Sequence, residues 1–526
     1  MEPETSSPWP VDRTLVSALR EHLRAQTGRA VSLIETHLSW VLLTDRLAYK
    51  LKKPLRLPFV DFGSLAARKH YCDEELRLNR RLAPSIYLDV VPVCGTRESP
   101  HLGGGDVSDV SDVIDFAVRM QRFPEGALLR NLLLEGRLRT DHLDRFAQRL
   151  AALHGEAQVA PLSSGSGAPS EVFRAMNASL AGLPDDCGAE RLETLHTWVA
   201  AQGVSLRTAW IERQREGAVR ECHGDLHLSN VVLLDDELTA FDCIEFDPAL
   251  RWIDVMSDIA FLTMDLRAHG RGDLAFRWLD VYLQHSGDYA GVPVLRAYEV
   301  YRALVRAMVA SLRARAPGAG PATAGPDYLA CAEALASQAA NPTPRLMITH
   351  GLSGSGKSTI ASELLALAGA IRIRSDVERK RLFGLRALER SAGEGLDIYT
   401  AEATRRTFDR LRTCARTALQ AGYPVIVDAA FLRRNERRAF QALAAEVRVP
   451  FSILHCQATE AKLRQRVAAR EASGADASEA SLRVLERQLA TFEPLDDDER
   501  VGALDVVTEA QWDIAALLAR WLAQTR

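Results

Sequence analysis

The sequence predicts two domains of different fold class, an α+β domain over residues 1–341 and an α/β domain over 342–526 with a five-stranded parallel sheet. Three observations lead to this division. A chain of 526 residues is too long for one hydrophobic core. Stretches rich in alanine, glycine and proline interrupt it at 314–326 and 339–344. From residue 344 onward, apolar β-type runs alternate with amphipathic helical stretches, which is typical of parallel strands joined by crossover helices.

The second domain contains five runs that we predict to be its strands: Leu346 to Thr349, Ile371 to Ile373, Pro424 to Val427, Phe451 to Leu454 and Leu504 to Val507. The first domain is less regular. Its β-like segments lie near Ser39 to Leu51 and Leu88 to Val93, and helical patterns dominate after Asp141. We therefore expect a small sheet lobe at the N-terminal end of the first domain, followed by a mainly helical part.

Composition and charge exclude several classes of protein. The net charge of −4 gives no whole-protein cationic field for nucleic acid, so a nucleic-acid partner is not favoured. No run of about twenty apolar residues is present, and no membrane partner is expected. The eight cysteines form no CxxC pair, which supports neither a zinc site nor a disulfide framework. A reducing, cytoplasmic setting is the expectation.

A glycine-rich loop follows the first predicted strand of the second domain and opens a helix that ends at Gly369. It fits the pattern G-x-x-x-x-G-K-[ST] in the strand–loop–helix context that the pattern requires. Backbone N–H groups of such a loop converge on a β-phosphate, Lys357 supplies a mobile charge, and the Ser358 hydroxyl suits Mg²⁺. The residues expected to bind ATP here are Gly351, Leu352, Ser353, Gly354, Ser355, Gly356, Lys357, Ser358 and Thr359.

Further polar residues follow other strands of the second domain. Asp428 ends a buried strand, where a second magnesium-organising carboxylate is expected. Asp376 and Arg379 come after the second strand, at the carboxyl edge of the sheet where ligands bind. Arg466 and Arg470 are four residues apart and share one helix face, and nearby Gly474 suggests a mobile lid.

With these motifs, residues 344–526 resemble the P-loop kinases of small molecules and polynucleotide 5′ ends, including gluconate kinases and chloramphenicol phosphotransferases. The resemblance implies that Asp376 activates the acceptor hydroxyl and that Arg379 steadies an acceptor phosphate. It also implies that Arg466 or Arg470 holds the transferring phosphate. The acceptor-binding segment, Leu382 to Tyr399, matches no substrate pattern that we can name.

The first domain carries the run His223-Gly-Asp225-Leu-His-Leu-Ser-Asn230, with Asp242 twelve residues further on. Two carboxylates and an asparagine at this spacing suit phosphoryl transfer. Asp225 would orient the acceptor hydroxyl and accept its proton, while Asn230 and Asp242 would hold Mg²⁺ against the β- and γ-phosphates. This run resembles the aminoglycoside phosphotransferase and choline kinase-like group, which is related to protein kinases.

The resemblance implies a protein-kinase-like fold for the first domain and assigns further residues. Lys50 stands in the position of the nucleotide-pairing lysine, although Lys52 lies on the same face of the predicted strand and is an alternative. Glu75, in a predicted helix, would pair with that lysine. Asp258 resembles the aspartate that braces the catalytic loop. No G-x-G-x-x-G loop precedes Lys50.

The order of the two domains resembles a bacterial family described as bifunctional aminoglycoside phosphotransferase and ATP-binding protein. The leading hypothesis is therefore an ATP- and Mg²⁺-dependent phosphotransferase with two nucleotide sites that acts on hydroxyl groups of small molecules. A second hypothesis makes the first domain a nucleotide sensor that regulates the P-loop domain, and a third has the P-loop domain modifying polynucleotide 5′ ends. Acidic residues cluster only at 185–190 in the later part of the first domain, so a polycationic aminoglycoside acceptor is not favoured.

Overall fold

The structure is a computed structural model that describes residues 12–57, 60–103, 112–315, 325–337, 343–389, 398–473 and 477–524. Contacts between residues divide the chain into two compact units. The first unit comprises Met1–Phe146, Leu153–Ala268 and Ala297–Glu333, and the second comprises Ala147–Ala152, His269–Arg296 and Ala334–Arg526. The predicted boundary near Asn341, most of the two predicted linkers and the lid glycine Gly474 lie outside the described residues.

The first unit begins with a six-stranded antiparallel sheet in the order β1-β2-β3-β8-β6-β7. Helix α1 packs its Leu15, Val16, Leu19 and Leu23 against this sheet, since these positions fall on one face of a helix. The predicted β segment at Ser39 to Leu51 is two paired strands, β2 and β3. The elements of this lobe are α1 (Thr14–Thr27), β1 (Ser32–Glu35), β2 (Ser39–Leu43), β3 (Leu47–Lys52), β4 (Arg56–Leu57), β5 (Val60–Asp61), α2 (Leu65–Asn79), β6 (Tyr87–Gly95), β7 (Pro100–Leu102) and β8 (Val113–Gln121).

A mainly helical part follows, as the sequence predicts. Its helix α9 is buried from Val255 to Leu266, and the buried polar residues of this segment include Asp258 and Asp265, which accept hydrogen bonds from backbone N–H groups. A short hairpin of β10 and β11 lies beside the loop that carries Asp225. The elements that lie between β8 and the parallel sheet along the chain are α3 (Leu129–Leu134), α4 (Thr140–Glu156), α5 (Pro169–Ala181), α6 (Ala189–Ser205), α7 (Arg207–Arg215), β9 (Val219–Glu221), β10 (Val231–Leu234), β11 (Glu237–Ala240), α8 (Pro248–Arg251), β12 (Trp252–Asp254), α9 (Val255–Ala268), α10 (Gly272–Ser286), α11 (Val292–Ala314) and α12 (Tyr328–Ala336).

The second unit contains a five-stranded sheet in the order β14-β15-β13-β16-β17, with all neighbouring strands parallel. All five strands predicted from the sequence are present, and the prediction of a five-stranded parallel sheet is confirmed. Its elements are β13 (Leu346–His350), α13 (Lys357–Ala368), β14 (Ile371–Arg374), α14 (Ser375–Leu382), α15 (Ala401–Gln420), β15 (Val425–Asp428), α16 (Arg434–Val447), β16 (Phe451–Gln457), α17 (Glu460–Ser473), α18 (Leu482–Thr491), α19 (Asp497–Val501), β17 (Ala503–Val507) and α20 (Ile514–Ala523).

Helix α10 belongs to the second unit, although it precedes the parallel sheet by a long stretch of chain. Both oxygens of its Asp280 accept hydrogen bonds from the Arg372 guanidinium on β14, at 3.2 and 2.7 Å. Gln284, one turn further along α10, accepts a hydrogen bond from Arg374 at 3.3 Å. Because Asp280 and Arg372 are both buried, this ion pair anchors the helix on the edge strand of the sheet.

Among the helices that the structure describes, none is both long and apolar enough to cross a membrane. All eight cysteines carry free thiols.

Candidate functional sites

The first candidate site lies in the first unit, where strand β3 and helix α2 bring charged side chains together. The Lys50 ammonium is 2.7 Å from Glu75 Oε1 and 2.5 Å from Asp242 Oδ1. Burial acts against the charged ammonium, but Asp242 and Glu75 outweigh it and raise the pKa of Lys50 well above its ordinary value. The structure therefore places one sequence-predicted lysine between two sequence-predicted carboxylates.

Lys52 also reaches Glu75, since strand alternation puts it on the same face as Lys50. Its ammonium makes a second ion pair with Glu245, and the Lys52 side chain is completely buried. Lys50 keeps 13% of its side chain exposed and Asp242 keeps 45%. Glu245 stands three residues after Asp242 in the sequence, where its spacing assigned it no role; its contact with Lys52 comes from the structure. The buried Lys52–Glu245 pair has no access to a ligand, so its contribution is to hold Glu75 in place.

The catalytic loop predicted from the sequence lies next to Asp242. The Asn230 side-chain amide donates hydrogen bonds to the backbone oxygen and to Oδ2 of Asp225, both at 3.0 Å. The His223 ring nitrogen Nε2 donates to the carbonyl oxygen of Phe241 at 2.9 Å, which ties the loop to the residue before Asp242. Asp242 itself has a φ of 63°, in the left-handed region that costs a non-glycine residue energy.

Asp258, on α9, holds the catalytic loop from behind. Its carboxylate accepts hydrogen bonds from the backbone N–H of His223 at 3.1 Å and of Gly224 at 2.7 Å. His154 on α4 contacts the same carboxylate at 3.1 Å. Burial alone would raise the pKa of Asp258, but His154 and the backbone donors lower it to about 2. The loop is thus fixed by a carboxylate that stays charged, and His154 is a support that the sequence did not reveal.

The turn between β1 and β2 occupies the place before Lys50 where the sequence has no glycine-rich loop. The turn is short, and the Thr36 hydroxyl donates to the Ser39 carbonyl oxygen at 3.1 Å. Glu35, at the end of β1, is 2.7 Å from the ammonium of buried Lys53. A tight hairpin turn, held by a hydrogen bond from a side chain and with His37 at its tip, therefore stands where a glycine-rich loop would precede Lys50.

The second candidate site is the loop after β13 in the second unit. Gly351, Gly354 and Gly356 have φ values of 144°, 85° and 85°, in the region that favours glycine. A Cβ atom on Gly351 would lie 2.5 Å from the Cys456 carbonyl oxygen. The Lys357 ammonium folds back onto the carbonyl oxygen of Leu352 at 2.9 Å. Burial lowers the pKa of Lys357, which favours a ligand that supplies negative charge.

Ser358 and Asp428 meet at the carboxyl edge of the sheet. The Ser358 hydroxyl donates to Asp428 Oδ1 at 3.1 Å. Asp428 Oδ2 is buried and accepts no hydrogen bond from the described residues, although Arg374 and Arg372 lie 3.6 and 3.8 Å away. A hydroxyl beside a carboxylate with an unused oxygen is a donor set that Mg²⁺ prefers, so these two residues fit a magnesium ion.

A cavity of about 240 Å³ opens beside this pair. Asp376, Arg379 and Arg470 line it together with Tyr399 and Phe408. The Arg379 guanidinium donates to the Ile398 carbonyl oxygen at 3.0 Å and lies 5.2 Å from the centre of the Tyr399 ring. Its Nε atom is buried and has no hydrogen-bond partner among the described residues. The structure thus brings Asp376 and Arg379 to one cavity with Lys357 and Ser358.

The two arginines of α17 differ in their surroundings. The Arg466 guanidinium donates to the Gly354 carbonyl oxygen at 3.2 Å and to the Thr508 carbonyl oxygen at 2.7 Å, so it supports the glycine-rich loop. Arg470 lines the cavity and donates to the Ala480 carbonyl oxygen at 3.0 Å. Of the two, Arg470 is the one that faces the cavity.

Both units therefore present the groups that phosphoryl transfer uses, in a kinase-like fold followed by a P-loop fold. Residues 59–298 match the family model described as "Phosphotransferase enzyme family", and residues 346–495 match the model described as "AAA domain". The chain combines a domain of the aminoglycoside phosphotransferase (APH) type with a P-loop kinase-like domain. Domains of these families support phosphotransferase activity and ATP use in general terms.

Relatives of this chain include uncharacterized proteins of Mycobacterium tuberculosis and Mycobacterium bovis, each 29% identical over 450 residues, with 84% of this chain and 87% of the relative covered. Among solved structures, a choline/ethanolamine kinase family protein from Mesorhizobium loti is 13% identical, covers 60% of this chain and 91% of its own, and has a TM-score of 0.36. A gluconokinase from Sinorhizobium meliloti is 20% identical, covers 35% of this chain and 92% of its own, and has a TM-score of 0.26.

Proposed function

We propose that this protein is a Mg²⁺- and ATP-dependent phosphotransferase with two nucleotide sites, each transferring the γ-phosphate to a hydroxyl group of a small molecule. The observation that carries the proposal is the convergence in the first unit. Lys50 contacts both Glu75 and Asp242, and Asn230 contacts Asp225. Groups suited to phosphate, to metal and to an acceptor hydroxyl thus lie in one place.

In the first unit, Lys50 is the lysine that pairs the nucleotide phosphates. Its ammonium is partly exposed and sits at Asp242, whereas the Lys52 ammonium is enclosed between Glu75 and Glu245. Asn230 uses its amide N–H group on Asp225, which leaves its amide oxygen for a metal beside the exposed carboxylate of Asp242. The bound Mg²⁺ supplies charge neutralisation for the β- and γ-phosphates. Asp225 orients the acceptor hydroxyl and takes its proton.

In the second unit, the glycine-rich loop holds the β-phosphate through its N–H groups, and Ser358 and Asp428 hold the metal. Asp376 lines the same cavity and accepts the proton of the second acceptor, while Arg379 and Arg470, which also line this cavity, are anion-binding groups. Lys357, whose ammonium contacts the Leu352 carbonyl oxygen, would exchange that contact for the β- and γ-phosphate oxygens of a nucleotide.

Counting nucleotide sites tests the proposal directly. Calorimetric titration of the full chain with a non-hydrolysable ATP analogue and Mg²⁺ should give two sites. Lys50→Ala and Lys357→Ala should each leave one site, and the double variant none. Lys69→Ala and Lys462→Ala are matched controls, since both lysines are surface residues with local partners, and both should keep two sites. A wild-type chain with no site would refute the proposal.

The role of Asp225 separates catalysis from nucleotide sensing. In a chain that carries Lys357→Ala, Asp225→Asn should keep nucleotide affinity within about twofold and lower phosphate transfer by about 10²-fold or more, as loss of a general base does. Transfer is measured as ADP release dependent on a hydroxyl compound. If Asp225→Asn leaves transfer unchanged, the first unit is a sensor and the catalytic assignment is wrong.

A further inference from the structure

One arginine of helix α11, Arg306, lies close to the proposed base Asp225, and a second, Arg313, is near enough for the charges of Asp225 and Arg306 to act on it. Arg306 and Arg313 are seven residues apart, which places them on one helix face two turns from each other. The Arg306 Nη1 atom is 3.2 Å from His227 Nε2, and His227 Nε2 is 3.4 Å from Asp225 Oδ2. The guanidinium of Arg306 therefore lies next to the catalytic loop, one side chain away from the base.

In the contact between Arg306 and His227, both facing nitrogen atoms, Nη1 and Nε2, are hydrogen-bond donors. The backbone N–H of Ser229 donates to His227 Nδ1 at 3.2 Å, so Nδ1 is an acceptor. In the neutral ring the proton then resides on Nε2, the atom that faces both Asp225 and Arg306. In addition, the Nε atom of Arg306 is buried and has no hydrogen-bond partner among the described residues. The Arg306 guanidinium thus keeps an unused N–H group close to the catalytic loop, and an anionic oxygen would satisfy it.

The balance of charge around Asp225 is positive. No ion pair within the part of the chain that the structure describes involves Arg306 or Arg313, whereas Arg315, two residues on, pairs with Asp186 at 3.2 Å.

The pKa values of the neighbouring groups reflect this positive charge. Burial would raise the pKa of Asp225, but His227 and Arg306 outweigh the effect of burial and lower that pKa. Burial and the Arg306 charge lower the pKa of Arg313, while Asp225 acts to raise it. His37, at the β1–β2 turn, has a pKa lowered by burial and by Arg313 and Lys53.

A partly buried guanidinium without a carboxylate, such as that of Arg306, is costly, and guanidinium groups bind phosphate or carboxylate in a two-pronged arrangement. We infer that the acceptor of the first unit is a hydroxyl compound that carries an anionic group, a phosphate or a carboxylate, bound by Arg306 and Arg313. This inference rests on the proposed function of Asp225. A cationic acceptor, such as an aminoglycoside or a quaternary ammonium alcohol, would meet two unpaired positive charges instead.

The reaction at this site is a simple transfer. The acceptor oxygen forms a bond to the γ-phosphorus, the bond between that phosphorus and the β,γ-bridging oxygen breaks, and ADP leaves with that electron pair. The acceptor proton passes to Asp225. The arginines take no part in bond making, since they hold the anionic end of the acceptor while its hydroxyl lies at the base.

The first experiment uses the full chain with Lys357→Ala, so that only the first unit turns over. ADP release is measured with matched acceptors: glucose, gluconate and glucose 6-phosphate, and glycerol, glycerate and glycerol 3-phosphate, with choline and kanamycin as cations. We expect kcat/KM to be at least tenfold higher for an anionic member than for its neutral counterpart. In each set, the anion with the higher kcat/KM shows whether the site prefers a carboxylate or a phosphate. Arg313→Gln should remove the preference by raising KM, and Arg315→Gln should keep it.

Neutral or cationic acceptors that are used equally well or better would overturn the inference and leave the proposed function intact. A fall in kcat for every acceptor in Arg313→Gln, with KM unchanged, would also overturn it, since the arginine would then act on the phosphate of ATP. Failure of the proposed function looks different, because the same chain would bind no ATP analogue at all.

A second experiment decides the case in which no member of the panel is phosphorylated. The Lys357→Ala chain is saturated with ADP and Mg²⁺ and titrated with inorganic phosphate or sulfate, followed by calorimetry. We expect a binding site whose Kd rises at least tenfold in Arg306→Gln and in Arg313→Gln and stays within twofold in Arg315→Gln. Absence of binding, or equal binding in all variants, would overturn the inference. Arg313 is exposed, so its replacement does not depend on refolding of the interior.

Discussion

Lys50 and Lys52 show how two neighbouring lysines on one face of a strand acquire different properties. Both contact Glu75, and burial is what separates them. The Lys52 ammonium is enclosed between Glu75 and Glu245, so its charge serves the structure. Lys50 lies at the edge of the same cluster, where a ligand can replace Asp242 as the partner of the Lys50 ammonium. Only seven of the 65 basic residues are lysines, and two of them are used here.

Replacing Lys52 by methionine should destabilise the first unit. Lys52→Met leaves Glu245 buried without its cationic partner, and breaking a buried ion pair costs about 3–5 kcal/mol. Urea unfolding of the full chain measures the effect, and Lys69→Met, which removes a half-exposed partner of Asp73, is the control. Lys50→Met should lose the nucleotide site of the first unit, keep that of the second unit, and cause a smaller loss of stability. Equal stability of the Lys52→Met and Lys69→Met chains would contradict this assignment.

Buried His350 on β13 and half-buried His455 on β16 form a pair, with their Nδ1 atoms 2.6 Å apart. Burial and the neighbouring His455 lower the pKa of His350 to about 3, and burial lowers that of His455 as well. The unfolded chain therefore binds more protons than the folded chain between about pH 6.5 and 3. The stability that this pair contributes is present above pH 6.5 and falls as the pH drops below it.

The change His350→Gln should make the second unit less sensitive to acid. A histidine with these two pKa values loses about 2 kcal/mol of folding free energy between pH 7 and pH 5, and glutamine loses none. The measurement compares urea unfolding free energies at the two pH values in wild type, His350→Gln and His285→Gln, an exposed histidine of the same unit. An unchanged pH dependence in His350→Gln would show that His350 titrates normally in the folded protein.

At the scale of elements, α10 is the least expected part of the second unit. Its Asp280 pairs with Arg372 on β14, and Arg372 also donates to the Ser358 carbonyl oxygen at 3.0 Å. Helix α10, which precedes the glycine-rich loop in the sequence, therefore stabilises β14, the strand that pairs with β15 and its terminal Asp428. Phe276, on the same helix, packs against Tyr423 with ring centres 6.4 Å apart.

Asp280→Ala should weaken both the stability and the nucleotide site of the second unit. Arg372 would keep its buried charge without the carboxylate, at a cost of about 3–5 kcal/mol, and its support of Ser358 would loosen. Urea unfolding and ATP-analogue binding to a Lys50→Ala chain report the two effects. Asp273→Ala, on the exposed face of α10, is the control and should change neither. Full retention of binding in Asp280→Ala would mean that α10 does not support the site.

For the whole molecule, the two compact units predict more than one unfolding step. Each unit has its own sheet and buried residues, and a chain of two such bodies departs from two-state behaviour. Tryptophan fluorescence in urea should resolve two transitions. Lys52→Met should shift one of them and Asp280→Ala the other. A single transition that both variants shift equally would show that the units unfold together.

Local sequence determined much of the fold and of both sites. The five parallel strands, the helix after the glycine-rich loop and the strand that ends in Asp428 follow from periodicity and turn residues that act over a few neighbours. The residues of the glycine-rich loop and of the run from His223 to Asn230 are close in sequence, so their spacing alone predicts shared chemistry. Their roles in binding and catalysis stay predictions that the experiments above address.

Tertiary structure decided what depends on contacts between distant residues. The choice between Lys50 and Lys52 needed the burial of Glu245, almost 200 positions along the chain, and the membership of α10 in the second unit needed the Asp280–Arg372 pair. Arg306, one side chain away from Asp225, comes from a helix whose sequence shows only an amphipathic pattern. Periodicity tells which face of an element is buried, but the partner across that face is set by packing, since electrostatic and packing energies depend on distance in space.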